Sequence, residues 1–153
     1  MHGDVPIFDR FARAYDLVMP AADADALAAG LAEARRDVNL VLDVAGGSGR
    51  GARAIPGIER VVVDAARGMC EQARRHGVAA VQGDAARLPV REERVDAVTV
   101  VDAMHHLPDR DGAIESAAGA LAPGGVLAVA AGVAALALSA PGPVESPGSG
   151  SDA

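Results

Sequence analysis

At 153 residues the chain has room for one domain at most, and with half its residues apolar but 2% aromatic its core is expected to be an aliphatic layer of Ala, Val and Leu. A net charge of −7 disfavours a nucleic-acid partner, and a single cysteine, Cys70, excludes both an internal disulfide and a CxxC pair for zinc or redox chemistry, so no metal site is expected. No basic-then-apolar leader is visible, and the weakly apolar run from Val126 to Ala140 is shorter than the ~18–20 residues of a membrane span, so a cytoplasmic protein with no membrane span is expected.

In chain order, Ile7, Phe8, Phe11, Tyr15 and Val18 recur at helical spacing over Val5 to Met19. A second helix is predicted from Asp23, a cap residue, to Arg36, with Leu27 and Leu31 on one face. The pattern then changes to a short aliphatic run, Asn39 to Val44, bounded by glycines, which reads as a buried strand. A short helix from Gly49 to Ile55 is stopped by Pro56-Gly57. Strands follow at Arg60–Asp64, Val78–Gln82, Val95–Val101 and Gly125–Ala131. Helices are placed at Arg67–His76, ended by Gly77, and at Asp109–Leu121. Strands alternating with helices imply a Rossmann-like, doubly wound α/β fold, with a mainly parallel sheet of about five strands and helices on both faces. The expected division is an N-terminal helical cap over 1–38, a ligand-binding domain over 39–131 and a disordered or aberrant tail over 132–153.

Ligands of such sheets bind beyond the carboxyl ends of the strands, so those ends carry the candidate residues. The first strand runs into Asp43-Val44-Ala45-Gly46-Gly47-Ser48-Gly49. Glycines there permit close backbone approach and a sharp turn, and the amides opening the next helix favour a carboxylate or phosphate. The Gly47-x-Gly49-x-x-Ala52 spacing also fits a dinucleotide loop, so NAD(P) stays open at this point. Asp43 just before the glycines would repel a pyrophosphate, whereas it could accept from an ammonium group. Asp64, ending the second strand, can accept from both hydroxyls of a ribose, a charged hydrogen bond of about 1.5–3 kcal/mol, or it can cap the following helix. Asp84, in Gly83-Asp84-Ala85, can accept from an adenine amino group or form a loop turn.

The segments VLDVAGGSGR, VVVDAARGMCEQAR, VQGDAARLP, VDAVTVVDAMHHLPD and LAPGGVL occur in this order. Together they resemble the class I S-adenosylmethionine-dependent methyltransferases over roughly Asn39 to Val129. The DVAGG loop, with FDRFARAYDLVM near the start, is similar to the ubiquinone and menaquinone C-methyltransferases, and HHLPD to the broader small-molecule group. The resemblance implies S-adenosyl-L-methionine as cofactor and methyl transfer, C- or O-, to a small-molecule acceptor, a quinone precursor among the candidates. It assigns Asp43, Gly46, Gly47 and Gly49 to the methionine end of the cofactor, and Ala45 and Ala65 to cofactor binding. Asp64 goes to the ribose, Met69 to packing near the adenine, and Asp84 and Ala85 to the adenine edge. Asp102 and His105 fall beside the methyl donor, and Tyr15 belongs to a covering N-terminal helix where its ring could attract a sulfonium.

Displacement at an activated sulfonium asks the protein chiefly for alignment, with a base where the acceptor must lose a proton. His105 and His106 are the local candidates; a structural role weighs ahead for both, and His105 is carried forward as the catalytic candidate. Asp109 reads as a helix cap and Cys70 as packing. Family members continue with a further helix and a closing antiparallel strand pair, so a C-terminal truncation, by frameshift near Ala130, is expected, with the usual last strands lacking. The uncovered sheet edge would then be open to association, and the alternative functions are an NAD(P)-dependent oxidoreductase or a non-catalytic cofactor-binding fragment.

Overall fold

Asp23 caps the first complete helix: its Oδ1 accepts from the Ala26 amide at 2.9 Å, and α1 (Ala24–Leu31) starts there. The computed structural model describes residues 6, 7, 10–12, 14, 21–131 and 134–142. Within the expected helix Val5–Met19, residues 6, 7, 10–12 and 14 are helical, whereas the readings on Phe8, Tyr15 and Val18 fall outside the described residues. The chain continues as β1 (Leu40–Val44), α2 (Arg50–Arg53), β2 (Glu59–Asp64), α3 (Arg67–Arg75) and β3 (Ala79–Gln82). It closes with β4 (Val95–Val101), a 3₁₀ turn over Met104–His106, α4 (Arg110–Ala120), β5 (Leu121–Ala131) and β6 (Ala134–Ser139).

The strands form one sheet in the order β3-β2-β1-β4-β5-β6. All pairings are parallel except β5 with β6. The α/β, mainly parallel, Rossmann-like class expected from the sequence is the one adopted. Every residue of β4 is buried, as a central strand covered on both faces must be. On one face Leu42, Val98 and Leu127 pack with Ala117 and Ala120 of α4. On the other, Val41, Ala97 and Val126 meet Leu27 and Leu31 of α1. That same face carries Val62 and Ala80 against Cys70 and Ala73 of α3. Burying each such aliphatic side chain is worth about 1.5–3 kcal/mol, and this layering supplies the core without aromatics. Gly30 lets α1 approach closely, since a Cβ there would lie 3.0 Å from Ala128 Cβ.

Two differences from the sequence reading have clear causes. Helix α1 ends at Leu31 rather than Arg36 because the next residues serve tertiary contacts instead: the Arg35 amide donates to the Gly124 carbonyl at 2.8 Å, and the Arg36 guanidinium meets Asp96 at 2.8 Å. The sheet has a sixth strand, β6, inside the segment expected to be a disordered or aberrant tail. Its residues, AALALS, carry little pattern of burial: Leu136 and Leu138 are 62% and 52% exposed. The strand forms because its backbone completes the hydrogen-bonding edge of β5, from Val126↔Ser139 to Ala131↔Ala134. The Ser139 hydroxyl also donates to the Glu33 carbonyl at 2.8 Å, tying the strand to the end of α1. Among the described residues, no helix is long and apolar enough to cross a membrane.

Candidate functional site

Parallel pairing brings the carboxyl ends of β1, β2, β3 and β4 to one edge, where strand order reverses between β1 and β4. Two non-glycine residues there hold left-handed backbones, Ala45 after β1 (φ 53°) and Asp102 after β4 (φ 50°). Such conformers cost about 1–3 kcal/mol and persist where surrounding bonds impose them. The impositions are visible: the Ala45 amide donates to the Val63 carbonyl at 2.7 Å, and the Asp102 amide to the Ala130 carbonyl at 2.8 Å.

Asp43 governs the glycine loop from below. Register sets it beside Thr99 on the face that α2 covers, and it is fully buried. Its Oδ1 accepts from Thr99 Oγ1 at 2.9 Å and its Oδ2 from the Ala52 amide at 3.2 Å. Burial raises its pKa from 3.8 to about 6; the Thr99 and Ala52 hydrogen bonds pull the other way, Asp64 adds to the rise, and Arg50 lowers it. Gly46 has no alternative here, because a Cβ would sit 2.6 Å from Asp43 Oδ2. Gly47 and Gly49 have φ of 59° and 91°, the left-handed turn that starts α2.

Asp64, at the end of β2, accepts from the Gly47 amide at 2.8 Å through Oδ2 and from the Ala66 amide at 2.9 Å through Oδ1. It thus ties the glycine loop to the start of α3. Asp84, beyond β3, accepts from the Ala86 amide at 2.9 Å, making the loop turn that the sequence offered as its alternative role.

These ends enclose a cavity of about 460 Å³. Of the residues singled out in the sequence, Ala45, Gly46, Gly47, Asp64 and Ala65 border it, as do Met69, Asp84, Ala85 and Asp102. Asp43 is sealed beneath the loop, and Gly49 is buried against Val78 and Ala73. His105 is exposed beside the cavity; the neighbouring His106 borders it, the two rings lying 3.9 Å apart. Tyr15 lies outside the described residues. Ala12, in the N-terminal helical segment, packs with Ala66 and Met69, so that segment docks against the rim.

Sequence reasoning passed over Arg50 and Gln82 and carried His105 forward rather than His106; Arg50, Gln82 and His106 all border the cavity. Arg50 is the surprise: it is 8% exposed, with Nη2 3.7 Å from Asp102 Oδ2. Its signal was its place, directly after Gly49 at the end of the glycine loop.

The chain matches the family model for a methyltransferase domain over residues 42–129. Among solved structures it is similar to an S-adenosylmethionine-dependent methyltransferase from Thermotoga maritima, with 26% identity and a TM-score of 0.67; the match covers 82% of this chain and 60% of that one. It is similar to a protein from Bacillus halodurans described as a methyltransferase, at 34% identity and a TM-score of 0.60, covering 69% of this chain and 50% of that one. A third similar structure is a complex of a Haloferax volcanii methyltransferase activator with a methyltransferase, at 25% identity and a TM-score of 0.62; the coverage is 80% and 58%. The chain therefore spans half to three fifths of the length of these structures. No curated protein sequence matches it.

Proposed function

The chain belongs to the methyltransferase-domain family that residues 42–129 match, and from that premise we propose that it binds S-adenosyl-L-methionine beyond β1–β4 and transfers the methyl group to a small-molecule acceptor by C- or O-methylation. The observation that carries the reading is the row of Asp84, Asp64 and Asp102 at the ends of β3, β2 and β4, all bordering one cavity with the glycine loop between them. The donor set suits the cofactor: its hydroxyls and amino groups are donors, and the row offers carboxylate acceptors. The volume lies within the ~300–1,000 Å³ of small-molecule sites, and Val63, Ala65, Met69 and Ala85 supply apolar walls for a base.

When bound, S-adenosylmethionine supplies an activated methyl group on a sulfonium sulfur, open to direct displacement. Asp64 borders the cavity as the acceptor for the sugar hydroxyls, and the same carboxylate ties down the glycine loop. Asp84 and the Ala85 amide serve the adenine edge, and Met69 packs beside it. Where the acceptor must lose a proton, the proposed base is an imidazole of the His105–His106 pair: His105 carries the family correspondence, whereas His106 borders the cavity. The charge of −7 favours a small acceptor over a nucleic acid.

Calorimetric titration with S-adenosylhomocysteine tests the reading. The chain is expected to bind it, and Asp64→Ala to bind it about tenfold or more weakly, the loss of a charged contact. Equal affinities would remove Asp64 from the site, and thermal stabilisation by NADH but not by S-adenosylhomocysteine would overturn the assignment in favour of a nicotinamide enzyme.

A further inference from the structure

We propose that the cleft at the amino-terminal edge of the sheet, between Arg36 and the Arg91–Arg94 segment, binds a small organic phosphate ester. The site is separate from the cavity described above, and nothing in the cofactor reading requires it.

Leu40 opens β1, Val95 opens β4 and Ala122 lies near the start of β5, and these strands pair in parallel. Their amino ends therefore share one edge of the sheet, and the cofactor cavity lies beyond the other. The length of β4, from Val95 to Val101, separates the two by about 20 Å. A cleft of about 520 Å³ opens at this edge, with Leu40, Val90, Val95 and Ala122 as its apolar side. Its polar side is Arg36, Arg91, Arg94 and Glu93.

Three guanidiniums against one carboxylate make the described lining positive, in a chain whose formal charge is −7. Arg36 is committed to the fold: its Nε meets Asp96 Oδ1 at 2.8 Å, and its Nη1 donates to the Pro123 carbonyl at 3.1 Å. Asp96 is occupied in turn, its Oδ2 accepting from the Asn39 and Leu40 amides, each at 2.9 Å. Arg91 and Arg94 differ. Among the described residues, neither guanidinium has a hydrogen bond or an ion pair. Two uncommitted forks suit a tetrahedral phosphate, whose oxygens accept from several directions; a planar carboxylate engages one fork.

The backbone between the two arginines is held in an unusual shape. Glu93 has φ 54°, a conformation that persists in a residue with a side chain only where its surroundings impose it. Here the Glu93 amide donates to the Gly119 carbonyl at 2.9 Å and the Arg94 amide to the Ala120 carbonyl at 2.9 Å. Those bonds also occupy carbonyls at the end of α4, whose negative dipole end would otherwise oppose an anion. A lone phosphate fills a small part of the cleft. The volume lies within the ~300–1,000 Å³ of small-molecule sites, and the apolar side leaves room for the organic group of an ester.

Calorimetry on the full chain tests this with phenyl phosphate, inorganic phosphate and benzoate as probes. Phenyl phosphate is expected to bind about tenfold more tightly than either of the others, because it alone offers both the phosphate and the apolar group. Arg91→Gln and Arg94→Gln should each weaken phenyl phosphate about tenfold, the loss of one charged contact, and Glu93→Gln, which removes the opposing carboxylate, should tighten it. Arg75→Gln, which removes an exposed charge from α3, should change the affinity less than about twofold. All four side chains are exposed, so these variants keep the fold. No binding of phenyl phosphate to the wild type overturns the proposal. So does binding that survives both Arg91→Gln and Arg94→Gln, which places the phosphate elsewhere, or an equal loss in Arg75→Gln, which reduces the effect to net charge. Inorganic phosphate binding as tightly as phenyl phosphate overturns the assignment to an ester. S-adenosylhomocysteine affinity bears on the cofactor reading alone and should be the same in the wild type and these variants.

Discussion

A buried carboxylate under a glycine loop costs stability and fixes shape. Asp43 titrates at about 6 in the folded chain because burial disfavours its charge, against 3.8 when exposed. Between those pH values the folded state holds a proton that the unfolded state has released. Stability contributed by this group is therefore present below about pH 4, falls as pH rises to about 6, and then stays level, a change of about 3 kcal/mol at most. Asp43→Asn keeps an acceptor for Ala52 and can donate to Thr99. Denaturant titration should show the wild type losing stability relative to this variant between pH 4 and 6.5; a constant difference across that range would contradict the assignment. Gly46 lies hard against the same carboxylate. Gly46→Ala forces a Cβ to 2.6 Å from Asp43 Oδ2 and should cost about 1–3 kcal/mol by denaturant midpoint, whereas an alanine at Gly119, where nothing lies within 4 Å, should not.

Elements form where local signals and the sheet agree. Asp109 reads as a cap in the sequence and is one: its Oδ1 accepts from the Gly112 amide at 2.9 Å and α4 begins at Arg110. Asp109→Ala should lower stability by about 1 kcal/mol with little change in cofactor affinity, checked by paired thermal and calorimetric measurements. The aliphatic runs of β1, β2 and β4 were legible for the same reason, since a doubly covered strand needs an unbroken apolar run. The start of β5 was not. Pro123 and Gly124 read as a turn ahead of a strand, yet β5 begins at Leu121, and a register shift between Val95 and Ala97 absorbs the irregularity. That arrangement depends on the partner strand, which no local signal describes.

At the scale of the molecule, the parallel sheet sets the row of acids along one edge and β6 shields another. Without β6, β5 would present unpaired amides and carbonyls from Val126 to Ala131. A chain ending at Ala131 is expected to associate in sedimentation experiments at concentrations where the full chain remains discrete, and matched sedimentation would argue against the shielding role. Exposed Leu136 and Leu138 should tolerate polar substitution within about 0.5 kcal/mol, since they bury little area.

The sequence by itself determined the alternation of strands and helices, the glycine loop, and the acids at strand ends, because each is written in residues close along the chain. Which of those residues face the cavity was decided only by tertiary structure. Register turned Asp43 under the loop toward Thr99, and it brought Arg50 to Asp102 from opposite sides of the strand-order reversal. Backbone pairing with β5 made a strand of a segment whose side chains give little reason for one. Periodicity reports which residues are apolar; it does not report which neighbour a polar one will meet, because that neighbour comes from a distant part of the chain.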